Sequence, residues 1–171
     1  DCFDIDFNYY GGKNGDAIDE VTRNFINSDI SNSFLPFFTN IKDFQKNIEG
    51  KKFALWGLSF EPGTDDVREA PSFFIIETLL AQGASFSVFD PVAIENTRQY
   101  FGDRIVYSSS PNDALNNADA LIVCTEWNLF RNLDITFFKN NMRKLLIFDG
   151  SNVYDPQEMK AAGIMYYSVG R

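Results

Sequence analysis

Apolar and polar positions change their spacing near Gly50. Before it, two stretches carry apolar residues three or four positions apart, which predicts short amphipathic helices. They lie within "DAIDEVTRNFINS" and "PFFTNIKDFQKNI", and Pro36 suits the first turn of the second helix. The first 15 or so residues mix aromatic residues, acids and a Gly-Gly pair, which is typical of a hairpin or an irregular arm. We therefore predict an N-terminal helical or irregular arm over residues 1–49.

After Gly50, short apolar runs alternate with amphipathic ones. The predicted strands lie in "KKFALWGL", "SFSVFDP", "IVYSS", "DALIVCT", "KLLIFDG" and "IMYYSVG", and the predicted helices in "APSFFIIETLLAQGA", "VAIENTRQYFGD", "SPNDALNNA", "ITFFKNNM" and "DPQEMKAAG". Strands that are apolar throughout are buried on both faces, as in parallel sheets. The alternation predicts an α/β domain over residues 50–171, a Rossmann-like, doubly wound, mostly parallel sheet with helices on both faces.

Charge and composition exclude several function classes. The chain has 171 residues and a formal net charge of −9, which argues against nucleic acid or an anionic membrane as a partner. One small phosphorylated ligand, held by a few local donors, stays compatible with this charge. Histidine is absent, which removes Ser-His and Cys-His nucleophile pairs and argues against a zinc site; we predict no metal.

The cysteines and the hydropathy pattern indicate a cytoplasmic protein. Cys124 lies in an apolar run, so we predict a buried, reduced thiol and no disulfide framework. No apolar run reaches membrane-spanning length, and no signal peptide is visible. The first methionine is Met142, from which we expect the sequence to be a piece of a longer protein.

The loop between the first strand and the first helix is the first candidate for a ligand site. Ligands of such sheets bind beyond the carboxyl ends of the strands, and long loops in compact folds are usually functional. Gly57 allows a tight turn, but Gly63 is too distant to complete a dinucleotide fingerprint, so a standard dinucleotide site is disfavoured. The helix that follows offers a weak anion site near Ser72, although we favour Ser72 as a simple N-cap.

Other polar residues at the strand ends leave alternatives open. The charged run from Asp65 to Glu69 is either a solvated loop with local ion pairs or a device that aims Arg68 at a phosphate or carboxylate. Asp90 either contacts a ribose or forms a structural turn with the following proline. Trp127 either faces a ligand or packs against the next helix.

No catalytic residue can be assigned from these side chains. They supply no nucleophile–base pair. Nothing distinguishes Asp65 and Glu126 as the acid and base of a paired-carboxylate hydrolase.

Four motifs, taken in order, resemble the C-terminal UDP-binding domain of the UDP-glucose 6-dehydrogenase family. They are "WGLSFEPGTDDVREAPS", "ADALIVCTEWNLFR", "IFDGSNVYDP" and "YYSVGR". The resemblance covers about residues 45 to 171 and favours the bacterial UDP-glucose branch over the GDP-mannose branch. It implies an oxidation of UDP-glucose to UDP-glucuronate with NAD. It also implies an NAD-binding domain, a central helical region and a catalytic cysteine, all N-terminal to this domain.

The resemblance also implies the site residues. Phe60, Glu61 and Ser151 are expected to contact the sugar nucleotide, and Arg68 to reach toward NAD across a domain interface. The family usually has lysine at position 61 and arginine at position 151, so this chain lacks two cations there. A charge-assisted hydrogen bond contributes about 1.5–3 kcal/mol, so the two losses are expected to lower affinity by about a hundredfold or far more.

Two hypotheses follow from these observations. In the first, the chain is the UDP-glucose-binding domain of an NAD-dependent dehydrogenase, inactive alone, whose partners are a UDP-sugar and the remaining domains of the enzyme. In the second, it is a stand-alone, non-catalytic binding or scaffold module that has lost affinity for UDP-sugars.

Overall fold

A single six-stranded parallel sheet forms the centre of the domain. The computed structural model describes residues 48–169, so both helices expected before Gly50 lie outside the described residues. The strands are β1 (Lys52–Trp56), β2 (Ser85–Phe89), β3 (Val106–Tyr107), β4 (Ala120–Val123), β5 (Leu146–Asp149) and β6 (Met165–Ser168). Their order across the sheet is β3-β2-β1-β4-β5-β6, and each neighbouring pair is parallel.

The strand order creates one switch point. The chain moves outward from β1 to β3 and then returns to the other side of β1 as β4. Connections leave β1 and β4 in opposite directions, which opens a crevice at their carboxyl ends, where ligands of this fold class bind. The predicted doubly wound sheet is confirmed.

Prolines and short polar caps begin most of the helices. Pro71, Pro111 and Pro156 occupy first turns, where a missing N–H costs little. The helices are α1 (Pro71–Ala81), α2 (Ile94–Phe101), α3 (Pro111–Leu115), α4 (Asn128–Arg131), α5 (Ile135–Asn141) and α6 (Pro156–Ala161), with a 3₁₀ turn at Gly102–Arg104. The four-residue helix α4 was not predicted from the sequence.

Apolar residues cover both faces of the sheet. Alternate side chains of β1 enter different clusters: Phe53 and Leu55 pack on the face covered by α1, and Ala54 and Trp56 on the face covered by α5. Trp56 stacks on Phe130 with ring centroids 5.0 Å apart. Burial on both faces explains why the strands are apolar throughout. Within residues 48–169, no helix is long and apolar enough to cross a membrane.

Candidate ligand site at the switch point

Gly57 and Thr125 bring the ends of β1 and β4 into close contact. Gly57 has a φ of +86°, and a Cβ atom there would lie 2.5 Å from the Thr125 Cβ. Such a separation is far shorter than van der Waals contact, so only glycine fits. The Gly57 N–H donates to the Phe89 carbonyl at 2.9 Å, which also ties the turn to the end of β2.

Side chains from three other segments fix the backbone just after Gly57. The Leu58 N–H donates to Asp90 Oδ2 at 2.8 Å, and the Ser72 hydroxyl donates to the Leu58 carbonyl at 2.7 Å. The Thr125 hydroxyl donates to the Ser59 carbonyl at 2.7 Å. The first residues of the loop over 57–70, which we call the opening loop, are therefore held rigidly.

This rigid backbone presents the first two predicted substrate residues. The Ser59 hydroxyl donates to the Glu61 carbonyl at 2.8 Å, and the Phe60 N–H donates to the Asp66 carbonyl at 3.1 Å. The Phe60 side chain is 46% exposed, although phenylalanine is usually buried. Glu61 is exposed as well. Both side chains are open to a ligand.

The third predicted substrate residue, Ser151, joins the same region from β5. Its hydroxyl donates to the Cys124 carbonyl at 2.9 Å, and its N–H donates to Asp149 Oδ1 at 3.1 Å. Asp149 is fully buried, and its other oxygen accepts from the N–H groups of Val153 and Tyr154. Hydrogen bonds thus connect the loops after β1, β4 and β5.

Cys124 lies inside this junction. It is buried and free, as the sequence predicted. Burial in apolar surroundings raises the pKa of its thiol, so it stays protonated at neutral pH.

Two sequence interpretations are settled by these contacts. The prediction of Ser72 as an N-cap is wrong, because Ala70 precedes α1 and Ser72 is fully buried beneath the opening loop. Asp90 is 2% exposed, and its Oδ1 accepts N–H groups from Val92 and Ala93 at 2.8 Å each. With Leu58 on its other oxygen, Asp90 forms the structural turn rather than a ribose contact.

Arg68 lies apart from this hydrogen-bonded junction. Its side chain is 87% exposed and forms a two-point ion pair with Asp66, at 2.9 Å from Nε and 2.7 Å from Nη2. The side-chain hydrogen bonds from Arg68 lower the pKa of Asp66 to about 2. The charged run is therefore a solvated loop with a local ion pair. A role of Arg68 toward a cofactor stays a prediction.

Trp127 packs against the protein interior. It lies immediately before α4 and contacts the apolar cluster that contains Phe130. Its indole N–H is buried and has no hydrogen-bond partner among the described residues. Glu126 beside it is exposed. Packing against the next helix accounts for Trp127.

The site is poor in cations. The segments 57–62, 124–127 and 149–152 contain no lysine or arginine, whereas Glu61 and Glu126 are exposed there. Thr125 fills the space beside Gly57, and the one further glycine of the opening loop, Gly63, is too distant to complete a glycine-rich phosphate-binding turn. The turn after β1 therefore lacks the glycine-rich cradle of a standard dinucleotide site. They also contain no group of three or more Cys, Asp or Glu that could hold a metal.

Comparison with known proteins identifies the family. Residues 54–156 match the model of the UDP-glucose/GDP-mannose dehydrogenase family, UDP binding domain. The chain belongs to this family. Sequence reasoning predicted this family, and Phe60, Glu61 and Ser151 stay predicted substrate contacts. It missed Ser59 and Thr125, whose importance depends on contacts between distant segments.

Relatives of this UDP-binding domain are much longer than the chain. A UDP-glucose 6-dehydrogenase of Pseudomonas aeruginosa is 41% identical over 133 residues, which cover 75% of this chain and 29% of that protein. A UDP-glucose 6-dehydrogenase of Bacillus subtilis is 39% identical over 124 residues, which cover 72% of this chain and 28% of that protein. The structure of a Pyrobaculum islandicum UDP-glucose dehydrogenase superimposes with a TM-score of 0.66 and 28% identity, covering 80% of this chain and 29% of that one.

Proposed function

We propose that this chain is the sugar-nucleotide-binding domain of an NAD-dependent UDP-glucose 6-dehydrogenase that makes UDP-glucuronate, and that it is inactive alone. The observation that carries this proposal is the hydrogen-bonded junction at the switch point of a UDP-binding domain. Phe60 and Glu61 lie in the opening loop and Ser151 in the loop after β5, and hydrogen bonds through Thr125 and Cys124 connect these two loops. The remaining domains of the enzyme and a UDP-sugar are its proposed partners.

The residues of the chain act by binding and orientation. The half-exposed Phe60 ring offers apolar area to the sugar nucleotide, and the backbone around Glu61 is held by Ser59. Ser151 offers the lone pairs of its hydroxyl oxygen from the loop after β5, since its N–H and its hydroxyl proton are already used by Asp149 and Cys124. Because these groups are fixed before the ligand arrives, little conformational entropy is lost on binding.

The redox chemistry belongs elsewhere in the proposed enzyme. NAD supplies the hydride acceptor when bound, and the opening turn of this domain has no cradle for it. We propose that a separate domain holds NAD and that Arg68, exposed in the opening loop, lies at the interface between the two domains. The Asp66 carboxylate fixes the direction of the Arg68 guanidinium there.

Calorimetric titration of UDP-glucose into the full 171-residue chain tests the binding role. We expect weak binding, because Glu61 repels the diphosphate and no cation in the junction compensates. The double variant Glu61→Lys, Ser151→Arg should bind at least about tenfold more tightly, since each new cation adds a charge-assisted hydrogen bond.

A matched control separates local from global charge effects. Glu158→Lys with Ser85→Arg makes the same charge change at exposed positions on α6 and β2. Equal gains in both double variants would contradict the proposed site. No gain in the Glu61→Lys, Ser151→Arg variant, with its fold intact, would contradict it too.

The shortage of cations favours one alternative, a stand-alone binding or scaffold module. An immunoblot of source-cell extract with an antibody to this domain distinguishes the two. A band heavier by one or two domains of about 100–200 residues each supports the dehydrogenase. A band at the size of this chain, together with no measurable UDP-glucose binding, supports the module.

A further inference from the structure

A cavity separate from the switch point lies at the carboxyl ends of β2 and β3. Its volume is about 460 Å³, within the range of about 300–1,000 Å³ that is usual for small-molecule sites. It is not lined by the opening-loop residues Phe60 and Glu61 or by Ser151, which follows β5. The lining consists of Phe89, Asp90, Pro91, Ile94, Arg98, Tyr107, Ser108 and Ser109.

The arginine in this cavity is held in a fixed orientation. The Arg98 guanidinium carbon lies 4.3 Å from the centroid of the Tyr107 ring, a cation–π arrangement. The Tyr107 hydroxyl donates to the Gly102 carbonyl at 2.8 Å, which anchors the ring. Stacking therefore positions the guanidinium before any ligand arrives.

Most of the hydrogen-bonding capacity of Arg98 is unused. Its side chain is 51% exposed, and Glu95 Oε2 lies 3.8 Å from its Nε, too far for a hydrogen bond. No hydrogen bond from the Arg98 guanidinium to another described residue is present in the structure. A guanidinium with free N–H groups matches a phosphate or carboxylate in two-point geometry.

Ser108 adds a hydroxyl to the cavity lining from an anchored backbone. The Ser108 N–H donates to the Val88 carbonyl at 2.9 Å, which places the residue at the cavity edge. Its hydroxyl has no partner among the described residues. The neighbouring Ser109 hydroxyl is already used, since it donates to Asp113 Oδ2 at 2.7 Å.

The acid inside the cavity is already compensated. Both oxygens of Asp90 accept N–H groups, from Leu58 on one side and from Val92 and Ala93 on the other. These three donors satisfy both oxygens of Asp90, and the described residues show no ion pair between Asp90 and Arg98. Other acids near the cavity are Glu95, on the same helix as Arg98, Asp113, which is engaged by Ser109, and Asp103, whose charge reaches Tyr107.

We propose that this cavity is a second ligand site, which binds a small molecule through a phosphate or carboxylate group. Arg98 and Ser108 hold the anionic group, and Pro91 and Ile94 contact the apolar body of the ligand. The site does not depend on the proposed function, because it shares no ligand-facing side chain with the switch point.

Nuclear magnetic resonance titration of the full 171-residue chain tests this site, with inorganic phosphate and succinate as separate probes. We expect saturable shifts of the Arg98 Nε–H and of the Ser108 and Ser109 amides with at least one probe. The probe that binds more tightly identifies the preferred anionic group. Arg98→Gln should weaken binding by about tenfold or more, because a charge-assisted two-point contact is lost.

Arg131→Gln is the matched control, since it removes an exposed arginine from the end of α4, outside the cavity. It should leave the affinity unchanged. Tyr107→Leu keeps every charge but removes the stacking platform, and should weaken binding severalfold. The amide spectra of the variants verify that each is folded.

Several results would overturn the proposal. They are the absence of saturable shifts with both probes, equal weakening by Arg98→Gln and Arg131→Gln, or shifts confined to Glu61 and Ser151. An unchanged affinity in Tyr107→Leu would overturn the role of stacking. Since UDP-glucose is titrated separately, failure of this site is distinguishable from failure of the proposed function.

Discussion

Single side chains determine the shape of the switch point, and most of them act on backbone groups far away in sequence. Asp90 accepts from Leu58, 32 positions earlier, and Thr125 donates to Ser59, 66 positions earlier. A buried carbonyl or N–H without a partner is costly. Each of these side chains therefore stabilises one particular path of the opening loop.

The glycine at position 57 is needed for space as well as for its backbone conformation. Gly63 has a similar positive φ, +82°, but nothing lies within 4 Å of a Cβ placed there. We predict that Gly63→Ala lowers the free energy of unfolding by about 1–2 kcal/mol from backbone strain alone. Gly57→Ala should cost about 3 kcal/mol or more, because overlap with Thr125 adds to the strain.

Urea denaturation of the two glycine variants measures this difference. Equal losses in both variants would show that the contact with Thr125 imposes no constraint.

The ion pair between Asp66 and Arg68 makes the stability of the fold depend on pH in the acid range. The pKa of Asp66 is lowered from its ordinary value of 3.8 to about 2 by hydrogen bonds from Arg68. Because the pKa of Asp66 is lower in the folded state than in the unfolded state, its ionised carboxylate stabilises the fold at pH values above the unfolded-state pKa. That contribution is lost as the pH falls from about 4 to about 2.

In the Arg68→Gln variant, the Asp66 pKa should return toward 3.8. Nuclear magnetic resonance titration of the Asp66 carboxyl carbon measures it in both proteins. An Asp66 pKa that is the same with and without Arg68 would contradict the ion pair.

The helices and strands were predictable wherever a local signal existed. Pro71, Pro111 and Pro156 begin helices where the sequence predicted, and every predicted strand after Gly50 is present. The helix α4 was missed because four residues carry no periodicity. Ser72 was misinterpreted because a serine near a proline-initiated helix resembles a cap, and its true partner, Leu58, lies 14 positions away.

The opening loop depends on Thr125 more than a helix depends on a comparable threonine. Thr125 and Thr97 are both fully buried, and each hydroxyl donates to a carbonyl. In α2, the Ala93 carbonyl also accepts the Thr97 N–H. The structure shows no second donor to the Ser59 carbonyl among the described residues, so Thr125→Val leaves that carbonyl unpaired.

We therefore predict a loss of about 1–3 kcal/mol for Thr125→Val, and of about 1 kcal/mol or less for Thr97→Val. Chemical denaturation compares the two variants. Changes in the Phe60 and Glu61 amide resonances should accompany the first variant only. A larger loss in Thr97→Val would contradict this view of the loop.

The whole domain is stabilised from both faces of its sheet. Two apolar clusters within residues 48–169 lie on opposite faces, and the cluster on the α1 face includes Ile48. The boundary near residue 50 stays a prediction. A chain of residues 48–171 should fold cooperatively, with a free energy of unfolding within about 1 kcal/mol of the full chain, as for changes outside a core.

Truncation and denaturation test this boundary directly. Loss of the cooperative transition in residues 48–171 would show that residues 1–47 belong to the same folding unit.

Both tryptophans of the chain, Trp56 and Trp127, keep a buried indole N–H without a hydrogen-bond partner among the described residues. Buried indoles usually find an acceptor, so these two rings occupy unusually apolar surroundings. Their fluorescence emission maximum is therefore expected at short wavelengths in the folded state, and it should shift to longer wavelengths when unfolding exposes the rings to water. Because Trp56 lies in β1 and Trp127 follows β4, the intrinsic emission of this protein reports optically on the two strands that form the switch point.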